Sequence, residues 1–453
     1  MFTPRPSQGA AAEDPLTRAL NGLIPPNESP AEREQRLALE ANARMISDAI
    51  DEKLKIERQE RRNKKIVKIL LLGQSESGKS TTLKVLQLYY APQSLRQEAF
   101  AWRTVIHLNL LRSIQLVMDA LSQANRENAP SFTDDLRRLL IKLSPLKQAE
   151  ELLRMRISPP QEEGDSQLVL PEASEFSVRS ASGWKQAFNK MRGNSSSKDD
   201  IRFDTGPASI LEACSEDMTA LWTSPAARQI LKQRRIRLEE SSGFFLDDID
   251  RIAKKDYEPT DEDILRARLR TVGVQEHKIS LELGPEKGQD WYIYDVGGSR
   301  SQRSAWESFF DDVNAIIFLA PLSSFDQSLA EDKRVNRVED SLLLWKSICS
   351  SKLLAKVELI LFLNKCDILA KKLESGIRLA KFVPSFKDHP NNVETVTKYF
   401  RAKFKAIQKE YSPSPRMFYG HLTSVVDARS TALIVANVHE VIVKANLHSA
   451  NVL

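Results

Sequence analysis

The residues Gly73-Gln74-Ser75-Glu76-Ser77-Gly78-Lys79-Ser80-Thr81 follow a run of branched apolar residues, Ile66 to Leu72, and precede a helical pattern. That spacing suits phosphate binding. Gly73 and Gly78 permit a tight turn that aims successive N–H groups at phosphate oxygens, Lys79 brings a point charge to the β- and γ-phosphates, and the Ser80 hydroxyl can reach a Mg²⁺ ion. The segment Thr82 to Leu86 opens a helix whose dipole adds to the same anion site. Glu76, Ser77 and Thr81 complete the loop residues expected to touch the nucleotide.

A second buried-strand run, Val357 to Leu363, ends in Asn364-Lys365-Cys366-Asp367. An aspartate there can accept hydrogen bonds from N1–H and the exocyclic amine of guanine, whereas adenine would leave the carboxylate unpaired. Alone the box is a weak four-residue match; combined with the phosphate loop it points to GTP and GDP. A third element, Trp291 to Gly298, ends in Asp295-Val296-Gly297-Gly298. Asp295 is expected to hold Mg²⁺ through water, and Gly298 to present its N–H to a γ-phosphate.

With these motifs in this order the chain resembles a heterotrimeric G-protein α subunit, fungal-like, with an extended N-terminus. Asp263-Ile264-Leu265-Arg266-Ala267-Arg268-Leu269-Arg270-Thr271-Val272-Gly273 is similar to that family's first switch. The resemblance implies that Arg268 is a built-in arginine finger facing Glu76, that Thr271 joins Ser80 as a hydroxyl ligand of Mg²⁺, and that Leu265 and Arg266 flank the nucleotide. It implies that Ser241 lies on the helical-domain edge facing the nucleotide, and that Val425, in Thr423-Ser424-Val425, meets the guanine carbonyl. The implied fold is α/β, a phosphate-loop GTPase fold with a parallel-dominated sheet and an inserted all-α domain. The implied partners are a G-protein βγ dimer and a G-protein-coupled receptor, at the cytoplasmic face of the plasma membrane; the effector is not identified.

Two departures stand beside the expected γ-phosphate. Ser299 replaces the family's water-orienting glutamine, and Ser75 replaces the second loop glycine. A serine hydroxyl is too short to stand in for a glutamine amide, and a Cβ at position 75 crowds the transition state. Two readings stay open: a GTPase that hydrolyses slowly, and a GTP-binding module with little intrinsic turnover. The family's C-terminal toxin-modified cysteine is Ala450 here. The chain begins Met1-Phe2-Thr3, with no cysteine before Cys214, so the family's N-terminal acylation is not expected.

The elements that must carry these groups follow from pattern. Residues 1–30, rich in proline and without apolar period, read as a disordered extension. Across 31–65, Leu39, Ala43, Ile46, Ile50 and Leu54 recur at helical spacing, a stripe that the family would use to bind βγ. Lys53, Lys55, Arg58, Arg61, Arg62, Lys64 and Lys65 crowd that helix's end, either as a solvated face or near an anionic membrane. Residues 66–91 and 261–453 read as the GTPase domain, with strands near 291–297, 315–322, 357–363 and 416–423, and residues 92–260 as a helical domain. Within the latter, 157–206 is a polar insertion, solvated or serving as a docking or phosphorylation segment. His107 reads as a packed or surface histidine.

Lysine and arginine total 66 against 61 acidic residues, a balance that gives no global argument for nucleic acid. Three widely spaced cysteines form no metal or redox motif, and no apolar run reaches the length of a membrane span. Receptor contact is expected on the last helix and tail, from about Ser430 to Leu453.

Overall fold

A computed structural model describes residues 29–63, 66–157, 177–178, 199–271, 273–282, 287–329 and 331–424. Val425, the C-terminal segment from Ser430 and nearly all of the N-terminal extension lie outside these. The chain divides into two units, residues 1–65 and 66–453. In the first, helix α1 (Pro30–Asn63) carries Leu39, Ile46 and Ile50 at 69%, 54% and 54% exposure. Lys53 and Lys55 are exposed too, while the side chains of Leu54, Arg58, Arg61 and Arg62, and residues Lys64 and Lys65 altogether, lie outside the described set.

The second unit is built on strands β1 (Val67–Gly73), β4 (Val274–Ser280), β5 (Asp290–Val296), β6 (Ala315–Pro321), β7 (Glu358–Asn364) and β8 (Tyr419–Leu422), with a separate pair β2 (Ser177–Val178) and β3 (Arg270–Thr271). The six-stranded sheet runs β4-β5-β1-β6-β7-β8, parallel throughout except for antiparallel β4 and β5. Both faces are covered, so successive β1 residues feed opposite cores. Ile69 and Leu71 pack with Leu83, Leu86 and Trp291, while Leu70 and Leu72 pack with Phe318 and Trp345. The edge strand β4 was not legible as a strand, because Gln275, Glu276, His277 and Lys278 give it a polar, half-exposed run.

The helices that position the site are α2 (Lys79–Tyr90), α3 (Ala99–Arg126), α4 (Asp261–Arg266), α5 (Arg337–Ser350), α6 (Cys366–Glu374) and α7 (Val393–Tyr411). The long α3 is the centre of the helical domain: Val105, Leu108, Leu111, Ile114, Val117 and Leu121 pack with Leu221, Trp222, Ile230 and Phe245. His107 is buried there, its Nε2 lying 3.1 Å from the Ile252 carbonyl, a packed histidine. Within the polar insertion, Ser177 and Val178 pair in parallel with Arg270 and Thr271. None of the helices among the described residues is long and apolar enough to cross a membrane.

Between the sheet and α7, the Trp345 indole N–H donates to the Phe404 carbonyl at 3.0 Å, and the Trp345 ring stacks at 5.2 Å on Phe318 and 6.2 Å on Phe404. Truncating Phe404, which is fully buried, removes its ring from the contact with Trp345. Phe404→Ala is expected to destabilise this unit by about 3–5 kcal/mol in urea titration, and a loss below about 1 kcal/mol would show the packing to be slack.

Candidate nucleotide-binding site

The phosphate loop joins β1 to α2 in the middle of the sheet. The Lys79 ammonium is buried and donates to the carbonyls of Gly73 and Gln74 at 3.0 and 2.8 Å. Burial pushes its pKa down to about 8; Asp295 pulls the other way, while Arg303 and Arg337 reinforce the fall. Gly78 has φ +106°, and a Cβ there would meet Asn364 Nδ2 at 2.3 Å, so only glycine fits. That Asn364 amide donates to the Ser77 carbonyl at 2.8 Å, and its Oδ1 accepts from the Thr423 hydroxyl at 3.1 Å. The parallel strands thus bring the loop, the Asn364 box and Thr423 to one end of the sheet.

Ser80 and Thr271 hydroxyls both donate to Asp295 Oδ2, at 2.6 and 3.0 Å, and lie 3.1 Å apart. Asp295 Oδ1 is buried with no hydrogen-bond partner among the described residues. Burial raises the Asp295 pKa, opposed by Lys79 and by the two hydroxyls. Two hydroxyls beside a carboxylate with a spare oxygen form a hard donor set that suits Mg²⁺.

Arg268 donates from Nη1 to Glu76 Oε1 at 2.5 Å, and Arg337 approaches the other oxygen at 3.4 Å. Burial alone would raise the Glu76 carboxyl, but Arg268, Arg337 and Lys365 outweigh it and hold it at about 2. Glu76 itself sits at φ +60°, and Lys365 at +62°, conformations that side chains adopt at a cost of order 1 kcal/mol or more and that cluster at functional sites.

Sequence reasoning missed what holds Arg268. Asn109, on α3, accepts from the Arg268 backbone N–H at 2.6 Å and donates to its carbonyl at 2.9 Å. Lys84, on α2, lies over the Trp102 ring at 4.2 Å and donates to the carbonyls of Ile264 and Ala267 at 2.9 and 2.6 Å, satisfying the C-terminal end of α4. The other end of α4 is closed by Thr260 and Asp263, which form a reciprocal capping box. A single asparagine or lysine inside an apolar helix run gives no such signal.

The remaining expected residues divide. Leu265 buries its side chain against Val85. Arg266 spends its guanidinium on Asp248 and the Phe244 carbonyl, at 2.9 and 2.8 Å, so its side chain is already engaged by the helical domain. Ser241 is exposed beside Gly243, whose N–H bonds the Arg266 carbonyl at 3.1 Å. Asp367 is exposed in the first turn of α6, and burial pushes the Lys365 pKa down to about 8. Thr81 follows Ser80 in the first turn of α2.

Gly298 lies against the phosphate loop so closely that a Cβ would fall 2.3 Å from the Gln74 carbonyl carbon and 2.4 Å from the Ser75 nitrogen. Ser299 is buried, its hydroxyl 3.3 Å from that of Ser301. The Gln302 carboxamide lies over Gly297, and the Trp306 indole donates to the Gly297 carbonyl at 3.1 Å. On the far rim, Lys372 bonds Asp326 at 2.6 Å and Glu240 of the helical domain at 2.8 Å, with Arg237 3.4 Å from Asp326.

Residues 44–442 match the family model described as G-protein alpha subunit. The chain belongs to the G-protein α subunit family. Among its relatives are a guanine nucleotide-binding protein alpha-4 subunit from Mycosarcoma maydis, 29% identical over 96% of this chain and 94% of that protein. An alpha-2 subunit from Neurospora crassa is 31% identical over 86% and 91%, and an alpha subunit from Candida albicans 29% over 90% and 95%. The N-terminal extension falls outside the family match, whereas the polar insertion of this α subunit falls within it.

The depressed Lys79 has a measurable consequence. An anionic phosphate placed beside it raises its pKa above the value of about 8 in the free α subunit. Between pH 8 and 10 nucleotide binding is therefore expected to take up as much as about one proton, weakening by at most about tenfold per pH unit. Calorimetry at pH 9 in buffers of different ionisation heat measures this, and the absence of uptake would place Lys79 away from the phosphates.

Proposed function

We propose that this α subunit is a GTP-hydrolysing molecular switch that cycles between GTP- and GDP-bound forms, coupling a membrane receptor to an effector. The observation that carries the reading is the convergence of Lys79, the oxygens of Ser80, Thr271 and Asp295, and Arg268 at the carboxyl ends of β1 and β5. Lys79 and the loop N–H groups bind the phosphates. Ser80 and Thr271 would hold Mg²⁺, with Asp295 behind them; the ion would supply positive charge to offset that of the phosphates. Arg268, fixed through its backbone by Asn109, turns its guanidinium from Glu76 to the charge that develops on the transferring phosphoryl group.

Asp367 selects guanine. Asp367→Asn is expected to move preference from guanine to xanthine nucleotide, whose base offers a carbonyl in place of the amine, as read by competition binding. ATP displacing labelled GTP as well as GTP itself does would refute the assignment.

Water positioning is the weak step. The Ser299 hydroxyl lies against its neighbour Ser301, and Ser75 stands in the loop whose backbone packs on Gly298, so turnover is slow while GTP binding persists. Restoring both positions, Ser75→Gly with Ser299→Gln, is expected to raise the single-turnover rate more than tenfold, about 1.4 kcal/mol of barrier. A wild-type rate already equal to that of the double variant would mean that another group, such as the Gln302 carboxamide over Gly297, orients the water.

The partners are read from the exposed face of α1 and from the sequence of the C-terminal tail. The exposed stripe of α1, with Leu39, Ile46 and Ile50, supplies an apolar face for a βγ dimer. The basic end of α1 supports peripheral attachment to the cytoplasmic face of the plasma membrane, and the C-terminal tail supports receptor contact.

A further inference from the structure

Gln74 is a long polar side chain in the phosphate loop, only 1% exposed. Its amide nitrogen donates to Asp340 Oδ2 at 2.5 Å and to the Arg337 carbonyl at 2.6 Å, both in the first turn of α5. Two acceptors face the amide, so the NH₂ group must point at them. The carbonyl end, Oε1, is left buried with no partner among the described residues. An apolar side chain of the same length would avoid that penalty, which ties the presence of the amide to what it does for Asp340.

Asp340 is itself 3% exposed. Besides Gln74 it receives both ends of the Arg303 guanidinium, Nη1 to Oδ1 at 3.0 Å and Nη2 to Oδ2 at 2.7 Å. Arg300 stands further off, with Nε 3.9 Å away. Arg303 belongs to the 3₁₀ segment Arg300–Asp312 that continues from Gly298, while Gln74 belongs to the loop on which Gly298 packs. Arg337 closes the circuit by donating to the Ser75 carbonyl at 2.6 Å. One buried carboxylate is therefore shared by the phosphate loop and the segment that follows it in space.

We infer that Gln74 is a positioning residue that keeps Asp340 partnered when Arg303 withdraws, and so sets the balance between the GTP- and GDP-bound forms. This rests on the nucleotide-switch reading, in which Gly298 and the segment beyond it are held by the γ-phosphate and released with it. Release carries Arg303 away from Asp340. A buried carboxylate stripped of its cation is costly unless another donor stays behind. Gln74 is that donor, because it is anchored in the loop that binds the phosphates of both nucleotides. Without its amide the GTP form still has the bidentate Arg303, but the GDP form strands the charge. Removing Gln74 therefore favours the GTP form.

The test uses the full chain and equilibrium competition of GDP and Mg²⁺·GTPγS against a fluorescent GDP. Gln74→Met, of similar length without a donor, is expected to raise the ratio of the GDP to the GTPγS dissociation constant about tenfold, the size of one lost hydrogen bond to a charged group. Gln74→Ala should move the ratio in the same direction, so a poor fit of methionine cannot hide the effect. In an Asp340→Asn background, where no charge is left to strand, Gln74→Met should change the ratio less than twofold. An unchanged or lowered ratio in both Gln74 variants overturns the inference. So does an equal shift in the Asp340→Asn background, which would assign Gln74 to loop packing alone. A wild-type chain that binds neither nucleotide would instead overturn the switch reading.

Discussion

A cation has to be kept where water is excluded. The Lys79 ammonium is buried at the end of β1, and the two carbonyls of its own loop, Gly73 and Gln74, are what hold it. Much of the site can be traced to that requirement. The loop must curl back on the lysine, which demands glycine at position 78, and the space that the missing Cβ leaves is filled by the Asn364 amide. The strand order then follows as a condition: β1 must lie inside the sheet for the carboxyl ends of β5 and β7 to reach the loop from either side.

Around this cation the structure distributes charge in pairs whose members come from different elements. Glu76 balances Arg268 and Arg337; Asp295 faces Lys79; Asp340 takes Arg303. Arg268 is placed through its main chain, gripped by Asn109 from the helical domain and supported by Lys84 beneath α4. With the backbone fixed in this way, an exchange of the Glu76 carboxylate for a phosphate at the guanidinium, as proposed above, would need no reorganisation of the fold.

The parts of this arrangement written contiguously were legible in the sequence. The phosphate loop, Asp295 before a glycine pair and Asn364 to Asp367 each declare themselves by local spacing, and the buried strands by unbroken apolar runs. The pairing of Glu76 with Arg268 came only through family resemblance, since 192 residues separate them. Asn109, Lys84, Gln74 and Asp340 gave no signal. Three are single polar residues within helices and Gln74 is one more polar residue in a polar loop, and their roles exist only once α3, α4 and α5 are folded against the loop. Strand β4 was obscured by its half-exposed edge position, and the contact of Ser177 and Val178 with β3 by the polar composition around it.

The bridge formed by Lys372 with Asp326 and Glu240, with Arg237 alongside, has a kinetic meaning. It spans the cleft between the sheet and the helical domain on the side of the box that ends in Asp367. A nucleotide leaving by that route would have to part the bridge, so its residence time would depend on the opening of these ion pairs as well as on its own contacts. Affinity and lifetime would then be separate properties, the lifetime of a bound nucleotide being set in part by side chains it never touches.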